Sequence, residues 1–250
     1  MLLKIPEGNS KKWEKALEIE RCLAKTVVSE TGGSVAGLNI EAHCRIVGLV
    51  ARELGKLLPD LVCKSILPRG FELIAASHDI GKINPHFQAK LYTAINENIS
   101  KIEELSGAKP EYEKQFGFHS GVSQAALMGV DPFIPEIVGK HHGRAPQNYP
   151  LKEDEVIGGL AWQNVRDELI KRLKDFLGED WPVIDNEAQA NFLAGLTSVA
   201  DWIGSGPVFD DLSEIPEQRL NSLIVNALEI AGFVKPHIVP NLSFSRIFTA

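Results

Sequence analysis

The residues with chemistry to offer are five histidines and two aspartates spread over most of the sequence. The densest group is the string ASHDIGK, where His78 and Asp79 adjoin at the end of an apolar segment. A helix end lets the backbone turn, so both side chains can aim at one point. His78 brings an imidazole nitrogen, and Asp79 brings a carboxylate able to bridge two cations. Gly81 permits a tight turn, and Lys82 places an ammonium group near the same point, suited to a substrate phosphate. A second pair, His141 and His142 in VGKHHGR, again follows an apolar segment and precedes a glycine. Two adjacent imidazoles buried without partners would cost solvation, and metal ligation removes that cost. His43 and His119 each sit in helical stretches rich in small apolar residues. Asp201 lies on a row of small residues, Ala190, Ala194 and Thr197, at helical spacing. Such a row lets another helix approach and leaves a carboxylate in the interior, where it needs a partner or a cation.

Any one of these residues alone reads as ordinary: a hydrogen-bonded histidine, a solvated His-His turn, an aspartate that caps a helix. The joint set, His43, His78, Asp79, His119, His141, His142 and Asp201, reads as a metal site. His86 and His237 each follow a proline in a loop or tail and read as structural or exposed. Cys44 neighbours His43, but adjacent helical residues point about 100° apart, so it is not expected to be a ligand. Three cysteines without a C-x-x-C spacing indicate neither a disulfide framework nor a cysteine zinc site.

The elements that must carry these residues are helical. Ile40 to Leu58 has an apolar stripe of Ile46, Val47, Val50, Leu54, Leu57 and Leu58, stopped by Pro59. Further helices are expected over Phe71–His78, Leu91–Leu105, His119–Met128, Pro135–Lys140, Lys152–Leu177, Asn186–Ile203 and Ile215–Ala231. In Lys152–Leu177 the apolar side carries Trp162, Val165, Leu169, Leu173 and Phe176. Ser106–Gly117 and Gly204–Ser213 read as loops. No convincing alternating strand appears, so the expected fold class is all-α. The tail, Lys235–Ala250, is apolar without clear helicity; it either packs on the domain or leads into another one.

The chain carries 44% hydrophobic and 24% charged residues, which suits an ordinary globular core. The apolar runs are too short for a bilayer, and Pro6 and Glu7 fall where a secretory signal needs its apolar stretch. A cytoplasmic location without membrane attachment is expected. A net charge of −7 argues against gripping nucleic acid by bulk electrostatics. It does not argue against a nuclease, because bound divalent ions reverse the local sign.

At these residues the sequence resembles the HD nuclease domain of the type I CRISPR-associated helicase-nuclease. HDIGKINPHFQ matches that family's H-D-x-G-K-x-x-x-x-F-Q pattern through Phe87 and Gln88, and SVADWIGS resembles its A-D-W-x-x-S pattern through Asp201 and Ser205. The likeness runs from about His43 to Ser205. It implies an HD-domain helical bundle around a central metal site, as a single domain over 1–250 with its core at about 40–205. It implies that His43, His78, Asp79 and Asp201 hold one metal. Asp79 bridges to a second, held also by His119, His141 and His142. Lys82 and Ser205 then contact the scissile phosphate or order the site.

The resemblance also implies a superfamily 2 helicase as partner, in the same chain or another, and an RNA-guided CRISPR surveillance complex. The sequence holds no G-x-x-x-x-G-K-[ST] phosphate loop. The SFSRIF ending resembles the family's approach to its helicase.

The expected activity is two-metal hydrolysis of single-stranded DNA, as an endonuclease and exonuclease. A mixed imidazole and carboxylate set suits Mn, Fe, Co or Ni better than Mg, which remains compatible. Lys82, Lys90, Lys140 and Arg144 are the cations that would supply local positive charge. Two other readings compete: an HD phosphohydrolase acting on nucleotides or another small phosphoester, and a catalytically silent metal-binding docking module.

Overall fold

The computed structural model describes residues 12–210 and 217–235. Among the described residues the architecture is all-α, as the periodicity predicts, apart from one small hairpin and an isolated bridge between Leu23 and Asn39. Strands β1 (Thr26–Val28) and β2 (Ser34–Ala36) pair antiparallel, with Val27 opposite Val35. The sequence reading misses them because each is three residues long, too short for alternation to register.

Helix α1 (Ile40–Leu57) is the spine. The Asn39 side chain caps it, accepting the Ala42 N–H at 2.8 Å. Leu58 leaves the helix in extended backbone before Pro59, as a residue preceding proline prefers. Of its predicted stripe, Ile46, Val47, Val50 and Leu54 are buried, while Leu57 and Leu58 are only half-buried. A short helix, α2 (Asp60–Ile66), follows. Against α1 pack α3 (Phe71–Ala76), α7 (Gly159–Leu177), α8 (Glu187–Gly204) and α9 (Glu217–Ile230). The remaining helices are α4 (Pro85–Ala94), α5 (Phe118–Ala126) and α6 (Ile134–Gly139). The main core joins α1, α3, α6 and α7 through Ile40, Leu73, Ile74, Val138, Leu169 and Leu173. Each such side chain contributes about 1.5–3 kcal/mol of burial free energy. A second cluster seats Leu220, Ile224 and Leu228 of α9 on Val47, Val50 and Ala200.

Three expected elements are corrected. The helix placed at Leu91–Leu105 instead starts at Pro85, behind an Asn84 cap that accepts the Phe87 N–H. It ends at Ala94, where Asn96 turns left-handed at φ 64° and single 3-10 turns take over. The helix placed from Lys152 starts only at Gly159, because Gly158 and Gly159 both hold positive φ, a break no ordinary residue adopts readily. Within Ser106–Gly117, read as a loop, residues Pro110–Phe116 form 3-10 turns. Residues 211–216 and the tail beyond Lys235, including His237, lie outside the described residues, as does the start of the helix expected at Ile215.

Gly81 proves necessary for a different reason from the one its motif suggests. It does not need a positive φ. A Cβ there would lie 2.0 Å from the His119 carbonyl oxygen and 2.4 Å from the Ser123 amide nitrogen. Glycine thus lets α5 press its backbone onto the turn that carries His78 and Asp79. The Gly81 N–H completes the contact by donating to Ser123 Oγ at 2.8 Å. Gly81→Ala is expected to lower stability by at least about 1–3 kcal/mol, the range for overpacking a filled core. Urea unfolding midpoints of variant and parent measure this, and an unchanged midpoint would refute the close-approach explanation.

Candidate metal centre

His78 and Asp79 follow α3 directly, where the helix opens after Ser77. His43 projects from α1, His119 from the first turn of α5, His141 and His142 from the turn after α6, and Asp201 from the last turn of α8. The structure brings these seven residues together in two adjoining groups. In one, ligand atoms of His43, His78, Asp79 and Asp201 lie within 4.8 Å of one another; in the other, those of His119, His141 and His142 do.

Asp79 joins the two groups. Its Oδ2 lies 3.2 Å from both His43 Nε2 and His78 Nε2. Its Oδ1 faces the other way, 3.3 Å from His119 Nε2 and 3.6 Å from His141 Nε2. Asp201 Oδ1 closes the first group, 3.5 Å from His43 Nε2 and 3.2 Å from His78 Nε2. In the second group His119 Nε2 and His142 Nε2 are 2.9 Å apart. His43, His78, Asp79 and His141 are buried, whereas His142 and Ser205 are exposed, so the cluster is open on one side.

The surroundings orient the imidazoles. His78 Nδ1 donates to the Ala75 carbonyl at 2.8 Å, and His141 Nδ1 to the Val138 carbonyl at 2.7 Å. Each uses a carbonyl three residues back in the last turn of its helix, one that also accepts the backbone N–H of the same histidine, at 3.3 Å for His78 and 3.4 Å for His141. With Nδ1–H committed to the backbone, Nε2 points into the cluster, the orientation metal-ligating histidines show. Ser198 Oγ holds the His141 carbonyl at 2.6 Å, and Ser205 Oγ donates to Asp201 Oδ1 at 2.9 Å.

The donor set fits divalent cations. His43 Nε2, His78 Nε2, His141 Nε2 and Asp79 Oδ1 are buried with no hydrogen-bond partner. So many orphaned polar atoms converging on one place are costly unless a cation satisfies them. Electrostatics agree. Burial disfavours a charged His78, yet Asp79 and Asp201 overcome it and raise its pKa to about 10. Burial likewise opposes the Asp79 and Asp201 carboxylates, but His78 and the other cationic or donor groups hold both well below the usual range. Burial pushes His141 and His142 down, to the neutral form. Two ionised carboxylates therefore draw a positive charge into the first group. Cys44 is fully buried, and burial drives its thiol pKa well up, against a thiolate ligand.

Lys82 Nζ sits 2.6 Å from Asp79 Oδ2. The other cations expected to supply local charge are mostly engaged: Lys90 pairs with Glu113 at 2.9 Å and Lys140 with Glu136 at 2.5 Å. Arg144 is exposed beyond His142. His86 is buried, accepting the Lys109 N–H at 2.9 Å, and burial lowers its pKa to about 4, so its role is structural and neutral.

The F-Q end of the motif has a positioning task. The Gln88 amide donates to the carbonyls of Lys82 and Leu23, both at 2.9 Å, and accepts the Leu23 N–H at 2.9 Å. It fixes the turn carrying Lys82 to the chain ahead of β1. Sequence reasoning missed Arg166, which is wholly buried and donates to the Ile83 carbonyl at 2.7 Å and the Ile157 carbonyl at 3.1 Å. It pins the same turn from α7.

A helical domain that gathers imidazoles and two carboxylates around an adjacent His-Asp pair defines an HD-type metal-binding domain. Comparison with known proteins narrows this. The family described as "Cas3, HD domain" matches residues 30–209, most of the chain. The chain belongs to that family. It is 29% identical over 175 residues to the CRISPR-associated nuclease/helicase Cas3 of Streptococcus thermophilus, a match covering 58% of this chain and 19% of that protein. A crystal structure of a CRISPR-associated protein superposes with a TM-score of 0.71 at 22% identity, covering 92% of this chain and 29% of the other. T. fusca Cas3 superposes with a TM-score of 0.63 at 20% identity, covering 93% and 29%. The structural likenesses show the fold. The chain spans about a fifth of the Streptococcus protein and under a third of these structural neighbours. Among the described residues no helix is long and apolar enough to cross a membrane.

Proposed function

We propose that this domain is a metal-dependent nuclease that hydrolyses phosphodiesters of single-stranded DNA in type I CRISPR defence. The observation that carries the reading is the division of Asp79, one oxygen toward His43 and His78, the other toward His119 and His141. His43, His78, Asp79 and Asp201 would hold one divalent ion, and Asp79 with His119, His141 and His142 a second. Bound there, such ions supply Lewis acidity, polarising a phosphoryl group and lowering the pKa of a water. The mixed nitrogen and oxygen donors favour Mn, Fe, Co or Ni over Mg.

The chain's own groups prepare the site. With Nδ1 committed to a carbonyl, Nε2 is the nitrogen that His78 and His141 turn toward an ion, His78 giving up its Nε2 proton to do so. Burial opposes the Lys82 ammonium, but its ion pair with Asp79 keeps it charged, and a substrate phosphate at the cluster would draw it from that carboxylate. Ser205 steadies Asp201. The open edge beside His142 and Ser205 suits a polymer lying across the cluster better than a nucleotide enclosed in a pocket. The Streptococcus relative is a nuclease/helicase. We accordingly assign a superfamily 2 helicase, in cis or in trans, and an RNA-guided surveillance complex as partners that present the strand.

The test is cleavage by metal-free protein reloaded with Mn, Co, Ni, Fe or Mg. Substrates are circular single-stranded DNA, duplex DNA, RNA and free nucleotides. Mn- or Co-dependent cutting of the circle is expected. Turnover of nucleotides alone would favour the small-phosphoester reading, and metal uptake without any cleavage the docking-module reading.

A further inference from the structure

Metal-facing histidines need a partner on the nitrogen that does not face the metal. His78 and His141 find theirs in backbone carbonyls at helix ends. His119 cannot, because it stands in the first turn of α5, the end of a helix that presents N–H groups. Its Nδ1 is buried without a hydrogen bond, and 3.6 Å away lies the Glu113 carboxylate oxygen Oε1. Glu113 is buried, brought from the 3-10 turns of Pro110–Phe116. Its other oxygen is held by Lys90 Nζ at 2.9 Å. That ammonium lies 5.3 Å from the centre of the Phe87 ring, which meets the His119 ring edge-on at 5.3 Å. Glu113, Lys90 and Phe87 thus enclose the back of His119.

We propose that Glu113 is a positioning residue for the second metal site: its carboxylate receives the His119 Nδ1–H and presents Nε2 to the ion. A carboxylate behind an imidazole fixes the tautomer and strengthens the ligand. Removing such a partner costs about 10–100-fold in metal affinity. Lys90 keeps that carboxylate aimed, which explains why a lysine beside the site is paired rather than offered to substrate. The inference rests on the two-ion reading above and concerns one of its two sites.

The experiment is Mn titration of the whole chain, followed by calorimetry and electron paramagnetic resonance, for the parent, Glu113→Ala and Glu113→Gln. The parent should bind two ions. Glu113→Ala should weaken one by roughly a hundredfold and leave the other unchanged, and Glu113→Gln, which still accepts a hydrogen bond, should weaken it by roughly tenfold. Nitrogen-15 shifts of His119 in metal-free protein should show the Nδ1–H tautomer in the parent and a tautomer mixture in Glu113→Ala. A purely structural role would not produce that change. Two ions bound with parental affinity by both variants would overturn the assignment while leaving the two-ion reading intact. A parent that binds a single ion would overturn both. If Glu113→Ala does not fold, the isosteric Glu113→Gln carries the comparison, and parental affinity for both ions would refute the proposal.

Discussion

Asp79→Ala and Asp79→Asn are expected to abolish metal-dependent cleavage of circular single-stranded DNA, with a rate loss on the order of a thousandfold or more. That is at or above what losing one preorganised electrostatic contact costs an active site. The expectation follows from position rather than charge alone. Asp201 serves only the first group, 3.2–3.5 Å from His78 and His43. Asp79 lies within 3.6 Å of imidazoles in both groups and is the carboxylate common to them. Its loss should lower the metal content of purified protein at both sites, where Asp201→Asn should lower it at one. Asp79→Asn preserves shape, so its circular dichroism and unfolding midpoint separate a catalytic defect from misfolding. Parental cutting by a folded Asp79→Asn protein would remove the basis for the proposed chemistry.

The seven candidate ligands were legible because three signals coincide: adjacent ligand-type residues, their place at the ends of apolar segments, and a small-residue row leading to Asp201. The ends matter physically, since carbonyls of the last helical turn orient His78 and His141. Glu113 gave no such signal. It lies in KPEYEKQF, a charged stretch without periodicity, and acquires meaning only when its turn folds behind His119. Arg166 was legible but unread. The buried face of α7 runs Trp162, Arg166, Leu169, Ile170 and Leu173, so an arginine at helical spacing within an apolar stripe announces an interior hydrogen-bonding task. Val165 and Phe176, placed on that face from the sequence, are only half-buried, which sets the true stripe one position over. Gly81 was legible as a necessity and illegible as to cause, because a turn and a close approach leave the same residue in the sequence.

Metal affinity at the first group should rise about tenfold for each unit of pH between roughly pH 6 and 9, close to a thousandfold across the range, which is the linkage of one displaced proton to one bound ion. The sign follows from His78. In metal-free protein burial works against its charged form, but Asp79 and Asp201 raise its pKa to about 10. Below that value the imidazolium occupies the place of a cation, and an incoming ion must expel its proton. Acidification therefore favours the protonated, metal-free state. The carboxylates add nothing to the slope, because both are held ionised far below this range. The second group should behave differently. His141 and His142 are pushed by burial to the neutral form and have no proton to release near neutrality. Competition with a chromophoric chelator at several pH values measures the slope, and calorimetry in buffers of different ionisation heat counts the proton. A flat profile with no proton released would mean that His78 is already neutral in the metal-free protein. Asp79 and Asp201 would then not be the paired anions on which the centre depends.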